Sequence, residues 1–381
     1  MLHSFTFSDG SHPLAGLIAD KNGNFYSTTI YGGPNSGGEV FKLAPPSTPG
    51  GAWTESVLFA FSGANGLYPY YGAKPIFDSS GNIYGTTYLG GASNEGVVFK
   101  VTPGGTETVL YNFCSQSGCS DGEEPGAGLV FDSSGNLYGT TPYGGPFNQG
   151  IVFKLVPPAT PSGAWTEKVL YSFTGGADGS IPFSPLILDS SGNLYGTTSQ
   201  GGAGSGVVFK VAPGGTETVL HSFTGGADGG APYAGLIFDG SGNLYGTTSQ
   251  GGQGFGVVFE LSPPGTPGGA WTETVLHSFA DTDGDRPYFG TGLLFDANGN
   301  LYGQTDNGGA SSDGVVFKVA PGGTETVLYS WGSGSGQPKS IDLFADANGN
   351  LYSTTDEGGT LGYGTVYELT GTGFVPLPQS P

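Results

Sequence analysis

Apolar residues along this chain come in short runs separated by glycine-, serine- and asparagine-rich breaks, and one order of runs returns seven times. The order is clearest from Ala234 to Phe279. An apolar stretch (Gly235 to Phe238) meets a turn, Asp239-Gly240-Ser241-Gly242, and a Leu-Tyr-Gly-Thr-Thr strand (Leu244 to Thr248) leads to a Gly-Gly loop. A Val-Val-Phe strand (Val257 to Leu261) then passes through a Pro-Gly turn to Thr-Glu-Thr-Val-Leu-His-Ser-Phe. The first run is apolar on both faces, as an innermost strand should be; the fourth alternates, as a half-wet outer strand should. The 3.6-residue period of helical repeats is absent. Four short strands per unit predict an all-β fold, a seven-bladed β-propeller of four-stranded antiparallel blades.

Each unit is marked by Gly-Asn-(Leu/Ile/Phe)-Tyr, with the asparagine at 24, 82, 136, 193, 243, 300 and 350, spaced by 58, 54, 57, 50, 57 and 50 residues. The last unit supplies a first, second and third strand (Ile341 to Phe344, Leu351 to Thr355, Thr365 to Leu369) but no fourth. Leu2 to Phe5 is a fourth strand with nothing before it. The N-terminal strand is therefore expected to close the ring and remove a sheet edge, with the tail Gly373 to Leu377 as the competing occupant. Residues 1–370 read as one domain and 371–381 as a Pro-rich tail. The turn between third and fourth strands is long in the first, third and fifth copies (each reaching a tryptophan, Trp53, Trp165 or Trp271) and short in the second, fourth and sixth, which suggests growth by duplication of a two-blade unit.

The unit Asp-x-x-Gly-Asn-Leu-Tyr-Gly-Thr-Thr-x-x-Gly-Gly…Gly-Val-Val-Phe-Lys…Val-Leu-His-Ser-Phe resembles the GloVer-type tandem repeat of "choice-of-anchor" bacterial surface proteins, over nearly the whole chain. That resemblance implies secretion and, often, a C-terminal sorting segment, and no firm activity. No such anchor is expected within residues 1–381, and Val375-Pro376-Leu377-Pro378 would suit a linker.

Composition narrows the partners. Ten Lys+Arg against 31 Asp+Glu give a net charge of −21. Such a surface repels phosphate backbones, anionic lipid and uronate polymers, so nucleic acid is excluded as a partner. Five of the lysines (Lys42, Lys100, Lys154, Lys210, Lys318) recur at one repeat position. No apolar run is long enough to span a bilayer, so no membrane insertion is expected. Met1 opens directly into repeat sequence, so the N-terminus is read as an expression start or a mature one rather than a signal segment. The two cysteines, Cys114 and Cys119, share one Gly/Ser-rich loop and are read as a local disulfide rather than two free thiols. The location expected is extracellular or cell-surface, and the state a monomer.

Comparing the copies separates scaffold from site. Residues that recur in every blade serve the blade, while residues that vary between equivalent places are free to serve a site. Asp20, Asp78, Asp132, Asp189, Asp239, Asp296 and Asp346 open each hairpin turn and read as Asx-turn acceptors. His3, His221 and His277 alternate with tyrosines at one fourth-strand place and read as packing, as do the three tryptophans. The variable places lie in the loops before each first strand and between second and third strands, both at the mouth of the central channel. There stand Tyr70, Tyr71, Phe183, Tyr233, Tyr288 and Phe289, with Gln200 and Gln250 between them. Aromatic faces with planar polar groups and few cations suit neutral sugar rings, so a neutral polysaccharide or oligosaccharide is the expected ligand.

Chemistry is the alternative. Glycoside hydrolysis needs two carboxyl groups at a set separation, and the mouth offers Glu123, Glu124, Asp285, Asp306, Asp356 and Glu357. A lyase would want cations, and only Lys74, Arg286 and Lys339 are placed for it. No Gly-x-Ser-x-Gly elbow supports a serine nucleophile. Asp281, Asp283 and Asp285 resemble a calcium loop, but the glycine falls too early for an EF-hand and Asp283 already has a turn role. No cofactor is expected beyond that possible calcium. The reading is glycan binding without chemistry; a glycoside hydrolase is the second reading and a protein-interaction scaffold the third.

Overall fold

The computed structural model describes all residues except 49, 71–72, 161–162, 267, 289, 291, 333–335, 337–341 and 378–381. Seven antiparallel four-stranded sheets follow one another as blades. Blade one is typical, with strands Ile18–Ala19, Phe25–Thr29, Glu39–Ala44 and Thr54–Ala60. In blade seven, Phe344–Ala345, Leu351–Thr355 and Thr365–Leu369 are joined by His3–Ser4. His3 pairs with Val366 and Ser4 with Thr365, so the N-terminal strand closes the ring.

The tail takes a different place. Phe374 is buried with Tyr302, Leu343 and Leu351, and Ala297 N donates to Val375 O at 2.8 Å. The tail thus pins blade six to blade seven and leaves the outer slot to residues 1–6.

The hairpin motif has one use for each of its residues. In blade five the Asp239 carboxylate accepts from Ser241 N (2.8 Å), Asn243 N (2.9 Å), Asn243 Nδ2 (2.8 Å) and the Tyr245 hydroxyl (3.3 Å). Gly242 takes the left-handed turn position at φ 85°, which glycine adopts without a Cβ clash. Burial pushes the Asp239 carboxyl up, but these bonds outweigh it and hold the group below its ordinary value. Asp239→Ala would orphan four donors and is expected to cost about 2–3 kcal/mol, read as a lower Tm with an unchanged far-UV spectrum.

Packing follows from the third strand. Phe259 is fully buried, and a Cβ on Gly246 of the facing strand would lie 2.7 Å from its Cζ; the glycine of Leu-Tyr-Gly makes room for the ring. Each blade then grips the next through the aromatic that ends its fourth strand. Phe223 meets Phe259 edge-on at 5.2 Å, Phe279 meets Phe317 at 5.0 Å and Trp331 meets Tyr367 at 4.7 Å. Phe5 meets Phe41 in the same way at 5.2 Å and carries the chain's first strand across the seam. Threonine hydroxyls add polar pins between blades: Thr197 Oγ1 donates to Pro232 O at 3.0 Å and Thr354 Oγ1 to Pro13 O at 2.6 Å.

The innermost strands differ from expectation. Only two residues per blade pair there, and they are half-buried rather than enclosed on both faces. In several blades the carbonyls just before them accept from a threonine of the preceding blade, as Ala127 O does from Thr86 Oγ1 and Ser184 O from Thr140 Oγ1.

Blade one departs from the repeat at Glu39, which replaces the Val or Ile of blades two to six. It is fully buried, and neither carboxyl oxygen has a partner among the described residues. Its register partner is Ala60, where other blades place a serine or asparagine that accepts a loop amide, as Ser278 does from Gln253 N. In blade one the loop residue after Gly33 is Pro34, which has no amide to give.

Candidate functional site

The two variable loop sets are zipped together on one face. Within each of blades one to six the segment before the first strand bridges the segment after the second, as in Ser11 with Tyr31, Glu123 with Tyr143, Gly230 with Gln250 and Asp285 with Asn307. Each loop also bonds back to the preceding blade: Glu124 N donates to Glu95 O at 2.9 Å and Arg286 N to Phe255 O at 3.1 Å. Among the described residues these bonds tie the mouth loops of neighbouring blades together.

Its aromatic rings contact one another, stacked, tilted or edge-on. Tyr70 lies on Tyr88 at 4.6 Å, Tyr233 on Tyr288 at 4.2 Å, and Phe183 stands between Tyr143 at 6.5 Å and Tyr233 at 6.4 Å. Gly126 leaves the gap that Phe183 fills, since a Cβ there would lie 3.1 Å from its Cε1. These half-buried rings form an almost continuous belt rather than isolated rim residues. Burial first, and then a hydrogen bond with Tyr233, pushes the Tyr288 hydroxyl well above its ordinary value.

Between blades five and six the belt opens into a pocket of about 560 Å³. Ser249, Gln250, Arg286, Tyr288 and Asp306 line it with three glycines. Gln250, Tyr288 and Asp306, read separately from sequence, thus meet at one place, and Gln200 occupies the equivalent exposed position one blade earlier. Sequence reasoning had set Arg286 among cations for a lyase and did not place it beside Asp306; Asp306 N donates to Arg286 O at 3.0 Å.

A second polar patch lies on blades two and three. The Tyr88 hydroxyl donates to Glu124, and burial, then Glu95 and Glu124, raise the Glu123 carboxyl above its ordinary value. Asp356 is buried in blade seven, while Glu357 beside it is exposed, so this adjacent pair faces two environments. Tyr71, Phe289 and Lys339 lie outside the described residues. Lys74 faces Asp342 at 3.5 Å and so joins the inner edges of blades two and seven.

In the loop read from sequence as a calcium loop, two of the three aspartates have protein partners. Asp283 accepts from Ala280 N at 2.7 Å and faces His277 at 3.3 Å, and Asp285 faces Arg286 at 3.9 Å. Among the described residues the one group of three metal-type side chains within 4.8 Å is Cys114, Cys119 and Glu123, and the two cysteines are joined as a disulfide. Asp281 is exposed, and its carbonyl oxygen accepts from Gly309 N at 2.7 Å. No helix among the described residues is long and apolar enough to cross a membrane.

Fold and mouth together define a seven-bladed β-propeller with an aromatic belt and a polar pocket at one end of its channel. The chain belongs to the Gloeobacter/Verrucomicrobia repeat family, whose model matches residues 1–205 and again 186–375. No curated protein sequence matches it. Similar solved structures include a candidate gluconolactonase, 17% identical with a TM-score of 0.42 over 80% of this chain and 89% of that one. Another is a gluconolactonase of Xanthomonas campestris, 14% identical with a TM-score of 0.44 over 78% of this chain and 84% of that one.

Proposed function

We propose that the mouth binds a neutral glycan without chemistry, with the pocket between blades five and six as its principal sugar site, in a protein that works outside the cell or on its surface. The observation that carries this reading is the convergence of Gln250, Arg286, Tyr288 and Asp306 on one pocket of ligand size. The tyrosine offers a face for the apolar side of a sugar ring. The amide, guanidinium and carboxylate offer donors and acceptors for its hydroxyls. Arg286 and Asp306 line the pocket with opposite charges, and Asp285 stands 3.9 Å from Arg286, so no excess cation is left to match an anionic sugar.

Tyr288→Ala and Asp306→Ala should each weaken binding about tenfold in calorimetric titration with the neutral polysaccharide the parent prefers. Tyr288→Ala should also lower Tm by a few degrees, because Tyr233 loses its ring partner. Failure of the parent to bind any member of a broad neutral glycan panel would remove the reading, and protein retained in pull-downs would then favour an interaction scaffold.

A hydrolase reading draws on the other patch. Glu123, raised by burial and by neighbouring Glu95 and Glu124, has an environment that favours the role of a general-acid carboxyl. Reducing-sugar release that Glu123→Gln abolishes while binding persists would establish it.

A further inference from the structure

Six residues of the mouth share a backbone conformation that none of their side chains favours. His12, Tyr68, Glu124, Ile181, Ala231 and Arg286 have φ of 55°, 56°, 57°, 58°, 50° and 54°. They hold the same place in blades one to six, each immediately before a proline; Gln337, before Pro338, lies outside the described residues. The left-handed region is costly for any residue with a Cβ and most so for β-branched Ile181. A following proline favours extended backbone, which adds to the cost. Glycine would relieve this strain, and the chain has 75 glycines, many at positive φ, yet none of these six places has one.

The conformation is imposed on five of the six by bonds on both sides of the residue, while Glu124 is held on its N–H side alone, since Pro142 stands where blades one, two, four, five and six place a donor N–H. Arg286 N donates to Phe255 O of the preceding blade, and Arg286 O accepts from Asp306 N at 3.0 Å; Ile181 and Ala231 are held in the same way by Gln149 O with Ser199 N, and by Ser205 O with Ser249 N. The backbone role is thus constant while the side chain is unconstrained in kind: imidazole, phenol, carboxylate, aliphatic, methyl and guanidinium. A residue kept for blade packing would show one type. Strain retained at equivalent places with differing side chains is the pattern of a site rather than of a scaffold.

We propose that these pre-proline residues form the specificity-determining ring of the mouth, and that Arg286 selects the sugar at the pocket between blades five and six. This rests on the glycan-binding reading above and deepens it. The Arg286 side chain is 62% exposed and lines the pocket with Tyr288 and Asp306. A planar guanidinium donates two parallel N–H groups, and a carboxylate across the same pocket accepts two O–H groups. Together they fit a neutral sugar presenting a vicinal diol, one hydroxyl pair bridging donor and acceptor. A sugar deoxygenated at either position would leave one of them unmatched, a loss that polar sites discriminate strongly.

The test compares Arg286→Gly with Arg286→Ala. Both lose the guanidinium, but only glycine relieves the backbone. The glycine variant should melt about 2–4 °C above the alanine variant, and both should bind the parent's preferred neutral glycan at least tenfold more weakly. Both should also lose the parent's preference for it over its deoxy analogue. Equal melting of the two variants, or a lower melt for glycine, would overturn the strain argument and with it the ring. Unchanged affinity and preference in both variants, with a parent that binds, would overturn the role of Arg286 while the mouth remains a glycan site. A parent that binds no glycan would instead overturn the underlying reading.

Discussion

Deleting residues 1–6 is expected to lower the melting temperature by about 10 °C and to shift elution toward dimers or larger species. The segment leaves blade seven without its outer strand, since His3 and Ser4 pair with Val366 and Thr365. It also removes the bonds from Leu2 N to Val366 O at 2.8 Å and from Phe5 N to Gly364 O at 3.0 Å. The larger loss is Phe5, fully buried against Phe41 of blade one. Truncating such a ring costs about 3–5 kcal/mol by itself. Phe5→Ala therefore separates the two effects: it should lower Tm by a similar order yet elute as the parent does, because the edge stays covered. An unchanged melt and elution profile for the deletion would mean that another segment takes the slot, and Phe374, held between blades six and seven, would have to leave its site to do so.

Closure of the ring was legible because seven copies in one chain act as seven readings of one unit, and the first and last are incomplete in complementary ways. The hairpin was legible for the same reason, down to the aspartate that binds its own turn. The role of the aromatic residue ending each fourth strand was not, since its partner lies in the next blade and nothing in the spacing says which aromatic it meets. Rim positions were found by their variability, but contact of Tyr70 with Tyr88 and of Tyr233 with Tyr288 depends on how far apart neighbouring blades stand. The strained ring was hidden by a rule that normally holds: a residue before proline reads as extended, and only bonds to two neighbouring segments force Ile181 or Arg286 elsewhere. Arg286 and Asp306, which belong to different loops of blade six, became one site only through the bridge between those loops.

Stability is expected to be highest near pH 4–5 and to fall as pH rises through 7, with a loss of about 5 °C or more in Tm between pH 5 and pH 9. Six repeat glutamates, Glu55, Glu107, Glu167, Glu217, Glu273 and Glu325, have Oε1 buried with no partner among the described residues. Burial is the main cause that pushes each to about 7, and aspartates of neighbouring loops add to it for all but Glu107. Glu39 goes further, to about 9, through burial first and then Glu55 and Asp9. A carboxyl raised above its unfolded value holds a proton in the folded state that the unfolded chain has released. Its contribution is therefore full below about pH 4.5 and is lost as pH rises through the folded value. His3, His221 and His277 oppose this, since burial lowers each despite its aspartate, and stability from them falls as pH drops. They are three against seven. Below pH 4 the hairpin aspartates, held low by their turns, take over as protonation removes their bonds. Glu39→Val, which restores the residue of blades two, four, five and six, should raise Tm most at pH 7–9 and least at pH 4.5, and changing the six repeat glutamates to glutamine should flatten the profile. Scanning calorimetry from pH 4 to 9 on the parent and both variants checks this; a parent Tm that is level across that range, or rises with pH, would show that these carboxyls ionise in the folded protein as they do in the unfolded chain.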